Sequence, residues 1–108
     1  MTKAPRSIDF ARINAAALPH LPAICARLAP GGRREGKEWV AKNPTRLDRR
    51  AGSFKINLKS GHWADFAIGD KGGDPVSLVA YIAKTSQAEA ARLLSRMLGI
   101  ETMGGAHD

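Results

Sequence analysis

From Ser53 to Phe66 the chain reads S-F-K-I-N-L-K-S-G-H-W-A-D-F, and this stretch decides the fold. Phe54, Ile56 and Leu58 alternate with Lys55, Asn57 and Lys59, the period of two that sends neighbouring side chains to opposite faces of a strand. Such a strand has one oily face and one cationic face. Ser60 and Gly61 then give a two-residue hairpin signal, because glycine tolerates the positive φ of a tight turn, and His62 to Phe66 returns as the partner strand. Upstream, Glu38 to Lys42 suits a third short strand.

Outside this region the pattern changes to helix. Residues 9–28 are rich in Ala, Leu and Ile, but Pro19 and Pro22 interrupt the backbone ladder, so two short helices or one bent helix are expected. Pro30, Gly31 and Gly32 end that segment. Downstream, Asp74 caps a helix with Pro75 at its first position and an apolar face of Val76, Val79, Ala80 and Ala83. Ser86 with Glu89 forms a capping box for a last helix that points Ala90, Leu94, Met97 and Leu98 one way and stops at Gly99. The expected architecture is α+β, with N-terminal helices, a three-stranded antiparallel sheet of zinc-ribbon type and two C-terminal helices. Residues 1–102 form one domain, and 103–108 a flexible tail.

The 108 residues suffice for one compact core, and 44% hydrophobic with 25% charged residues is the balance of a soluble globular protein. No run of roughly 18 apolar residues is present to span a bilayer, so no membrane partner is expected. The opening decapeptide lacks the apolar centre of a secretory signal, which points to the cytoplasm. Cys25 is the single cysteine, so an intramolecular disulfide and a multi-cysteine metal site are both excluded. Between Ile24 and Ala26 it reads as a small buried hydrophobe.

The net charge of +7 favours an anionic partner. Its location says more. Arg33, Arg34, Lys37, Lys42, Arg46, Arg49, Arg50, Lys55 and Lys59 crowd between Gly31 and Ser60, opposed by Glu35, Glu38 and Asp48. Gly69, Lys71, Gly72 and Gly73 precede a helix, but they lack the spacing of a phosphate-binding loop and are flanked by Asp70 and Asp74, so they read as a structural turn. His20, His62 and His107 have no metal-ligand spacing. Asp65, Asp70 and Asp74 lack the partner histidine that acid–base chemistry needs, and the chain is read as a non-enzyme.

Four segments in order carry a resemblance: G-K-E-W-V-A-K-N-P from Gly36, the stretch from Ser53 to Phe66, G-D-K-G-G-D-P-V-S-L-V-A-Y-I from Gly69, and S-Q-A-E-A-A-R-L-L-S-R-M-L-G-I from Ser86. Together they resemble the small N-terminal zinc-binding domain of bacterial and phage DNA primases, whose pattern is G-x-aromatic, C-P-x-H, S-F, aromatic-x-C-x-x-C, G-G, a helix and E-A-x-x-x-L. The resemblance places Asn43 and Arg46 at the first pair of zinc ligands, and Asp65 and Ile68 at the second. A guanidinium and an aliphatic chain offer no lone pair to zinc, so a metal-free version with no cofactor is expected. Structural zinc supplies on the order of 10 kcal/mol in small domains. Two replacements suggest themselves: an Arg46–Asp65 ion pair across the same two loops, or packing of Trp39, Phe54, Trp63 and Phe66 against the N-terminal helices. The second is preferred, because aromatic burial demands less of geometry.

The resemblance implies a nucleic-acid-binding module of a replication primase or primase-helicase from a phage or mobile element. Its partner would be single-stranded DNA or a primer–template. Phosphate contacts would come from Arg33, Arg34, Lys42, Arg46, Arg49, Arg50, Lys55 and Lys59, with His62 or Trp63 stacking on bases and low sequence selectivity. The rival readings are a protein module that docks onto a primase or helicase, and a folded remnant of a truncated primase.

Overall fold

The computed structural model describes residues 7–46 and 52–100. Arg49, Arg50 and the tail 103–108 lie outside them. Asp9 opens helix α1 (Phe10–Ala17), its carboxylate accepting the Arg12 N–H at 3.1 Å. A 3-10 turn at Leu18–His20 and helix α2 (Leu21–Leu28) follow. Pro19 and Pro22 each fall in the first turn of their element, where no N–H is required, so the prolines separate two helices rather than kink one.

Five strands come next: β1 (Arg33–Glu35), β2 (Glu38–Ala41), β3 (Phe54–Asn57), β4 (Trp63–Asp65) and β5 (Asp70–Gly72). All neighbours are antiparallel and the order in the sheet is the order in the chain. The α+β class is as expected, but among the described residues the sheet has five strands instead of three. β1 and β5 are edge strands of three residues each, largely exposed and built from Arg, Glu, Asp, Lys and Gly. They carry no alternation for a sequence pattern to reveal.

The β3–β4 connection also departs from the two-residue hairpin. Asn57 and His62 close a four-residue loop, with the Asn57 N–H donating to His62 O at 2.7 Å and the Gly61 N–H to Asn57 O at 2.8 Å. Asn57 Oδ1 gathers the N–H groups of Lys59 and Ser60, and Gly61 takes φ +82°, so the asparagine side chain sets the longer turn.

Helix α3 (Pro75–Ala83) starts at Asp74, which accepts the Ser77 N–H while Ser77 reaches back to the Asp74 backbone. Asn14 of α1 accepts the Val76 N–H at 2.9 Å, tying two helices 62 residues apart. Helix α4 (Gln87–Leu98) starts at Ser86, whose hydroxyl accepts the Glu89 N–H, and ends at Gly99 with φ +69°. Glu89 turns its own carboxylate to Arg92 and Arg96.

The helices cover one face of the sheet. Ile13, Ala17, Leu21, Ile24, Leu78, Val79, Ala90 and Leu94 meet Ala41, Phe54, Ile56 and Trp63 in one buried cluster. Both tryptophans lie against a glycine. A Cβ on Gly32 would fall 2.4 Å from Trp39 Nε1, and one on Gly72, directly opposite Trp63, would fall 2.5 Å from its indole. Cys25 is fully buried, and burial pushes its thiol pKa up to about 12, leaving it inert at neutral pH.

Candidate nucleic-acid interface

Register assigns the cations to faces. Arg33, Val40, Lys55, Ala64 and Lys71 stand opposite one another across the five strands, on the face turned away from the helices. His62, Ala64 and Phe66 share that face along β4 by alternation. The Phe66 N–H donates to Ser53 O at 2.8 Å, extending the ladder one step past the strand and fixing where the ring emerges. Phe66 is 71% exposed, the reverse of the core role expected for it. The outer face thus carries Lys55, Lys71 and, ion-paired with exposed Glu35 at the β1 edge, Arg33, with the Phe66 ring and the His62 imidazole on either side of Ala64 on β4.

The other predicted contacts are dispersed. Lys42 is exposed just beyond β2 and Lys59 is exposed in the β3–β4 turn. Arg34 is paired with Trp39, so it has the parity of the inner face at the sheet edge, and its guanidinium donates to Gly36 O at 3.2 Å. Trp63 is 5% exposed, packs 4.5 Å from the Tyr81 ring and donates its indole N–H to Ser77 Oγ at 3.0 Å. It is a core side chain with no face to offer a base.

Arg46 belongs to a different structure. Asn43-Pro44-Thr45-Arg46 and Asp65-Phe66-Ala67-Ile68 form two loops of the same design. In each, the N–H two residues on donates to the side-chain oxygen of the first residue: Thr45 N to Asn43 Oδ1 at 2.8 Å, and Ala67 N to Asp65 Oδ1 at 2.9 Å. In each, the next N–H donates to that residue's carbonyl, Arg46 N at 3.2 Å and Ile68 N at 3.3 Å. Asn43 Nδ2 then donates to Asp65 Oδ2 at 2.9 Å, and Arg46 Nη1 to the same oxygen at 3.2 Å, clamping the loops together. Tyr81 OH accepts from Asn43 Nδ2 at 2.8 Å and donates to Asp70 Oδ2 at 2.7 Å.

Asp65 is 0% and Asn43 1% exposed. Burial by itself raises the Asp65 pKa; the hydrogen bonds from Asn43, the Ala67 N–H and Ser53, together with the Arg46 charge, outweigh it and hold the carboxyl below its usual value. Of the four positions singled out as ligand sites, Asn43, Arg46 and Asp65 meet, while Ile68 is exposed. Among the described residues, no three His, Cys, Asp or Glu side chains gather as metal ligands would, and no helix is long and apolar enough to cross a membrane.

A scan of the chain against models of known protein families finds no match, and a search of curated proteins finds none.

Proposed function

We propose that the protein binds single-stranded nucleic acid on the outer face of its sheet, as the recognition module of a replication primase or primase-helicase. The observation that carries this reading is the row Arg33–Lys55–Lys71 across the strands with exposed Phe66 and His62 beside it. Cations along a flat face follow a phosphate backbone, and an exposed ring can stack only on bases that are not already stacked in a duplex. The kinship to the primase zinc-binding domain belongs to the same proposal: Asn43, Arg46 and Asp65 close by hydrogen bonds the two loops that a metal would close.

Titration of a labelled single-stranded oligonucleotide at several salt concentrations tests the reading. Affinity falls as salt rises if phosphates are neutralised, and each lysine removed from the row lowers the salt slope by about 0.7. Binding that is absent, or insensitive to salt, points instead to a protein-docking module.

A further inference from the structure

The outer face carries two carboxylates among its cations: Glu35, exposed and ion-paired with Arg33 at the sheet edge, and Glu38 opposite it in register. Glu38 is half-buried and stands opposite Asn57 in register. It lines a shallow depression of about 300 Å³ together with Lys55, His62, Ala64, Phe66 and Lys71. A negative charge at this place opposes any phosphate that comes near it. It is favourable only where a hydrogen-bond donor arrives, and the exocyclic amino group of a base is such a donor, as when Glu accepts from N4 of cytosine.

We propose, resting on the reading of this face as a single-strand binder, that the depression seats one amino-bearing nucleobase, cytosine above all. The base stacks on Phe66, its amino group donates to Glu38, and Lys55 and Lys71 hold the flanking phosphates. Ala64 at the middle of the floor leaves the room, since it sits directly between Lys55 and Lys71 in the register. Thymine and uracil bring a carbonyl to the carboxylate in place of the amino group, so they are disfavoured. The rest of the row grips the backbone alone, which confines selectivity to this one position.

The test compares oligo-dC with oligo-dT of equal length by fluorescence anisotropy at low salt, on the intact chain and on F66A, F66W and E38A. The wild-type protein binds dC about tenfold more tightly than dT, the scale of one good side-chain contact to a base edge. E38A brings the two affinities together. F66A weakens both by about tenfold and F66W restores them, as loss and return of one stacked base require. Circular dichroism checks that each variant is folded, which the exposure of Phe66 favours. Equal affinities for dC and dT in the wild type, or an F66A variant that binds as well as the parent, overturn the pocket; if binding still weakens with salt, the cationic-face reading survives. No salt-dependent binding of either oligomer ends both.

Discussion

Asn43 and Asp65, 22 residues apart, meet at 2.9 Å with both side chains shut off from solvent. Every oxygen of the buried carboxylate is engaged by a donor: Oδ1 by the Ala67 N–H, Oδ2 by Asn43 and Arg46. The donors are all arranged for the ionised form of Asp65, which they bind more strongly than the neutral acid, and its amide partner is oriented by Thr45 and Tyr81 rather than left to choose.

Stability should fall in acid because of this carboxylate. The folded pKa of Asp65 is lowered, so its contribution is complete above the unfolded value of about 3.9 and is lost as pH drops through the folded one. Urea midpoints measured from pH 7 down to pH 3 should decline, and D65N should flatten that decline at the expense of about 3 kcal/mol at pH 7, since it faces Asn43 and Arg46 with a second donor. An unchanged acid slope in D65N would count against the clamp.

N43D inverts the pH dependence. Two carboxylates would then share the buried site, which raises one of the two pKa values above its unfolded value, so this site loses stability as pH rises through that raised pKa. The same denaturation series reads this out. A variant that gains stability between pH 4 and pH 7 would show that the side chains do not meet.

Arg46→Ala is the milder change. Its side chain is 32% exposed and Asp65 keeps Asn43 and the Ala67 N–H, so the loss is about 1 kcal/mol. Thermal denaturation separates this from the larger effect at Asp65.

Gly72→Ala should cost about 2 kcal/mol, because its Cβ must displace the Trp63 indole or the Ser77 hydroxyl that the indole binds. Trp63 fluorescence would shift with it. Gly36→Ala meets open space but must hold φ +60°, so its penalty is conformational and leaves the tryptophans undisturbed.

Replacing Asn43, Arg46, Asp65 and Ile68 together by cysteine tests the kinship to zinc-binding primase domains. One zinc ion per chain, or the cobalt spectrum of a tetrahedral thiolate site, is expected. Failure to take up metal would detach the four positions from the pattern that singled them out.

The sequence displayed the middle of the sheet well, because Phe54, Ile56 and Leu58 alternate cleanly with polar residues. The ends of the helices were legible for a similar reason: Asp74, Ser86 and Gly99 are each a capping chemistry in a single residue. The edge strands were hidden, since Arg33–Glu35 and Asp70–Gly72 owe their conformation to the partner strand and not to their own pattern. Of the clamp, Arg46 and Asp65 were visible through the resemblance alone. Tyr81, 38 residues from Asn43, gave no signal, for its hydroxyl finds its partners only when α3 docks. Phe66 misled because aromatic side chains are usually buried, whereas alternation from His62 placed it outward.

A junction built from an amide, a guanidinium and a carboxylate contains no thiolate. Peroxide finds no sulfur there to oxidise, and the lone thiol of the chain is sealed in the interior. What governs the two loops is the proton, and acid is what loosens this junction.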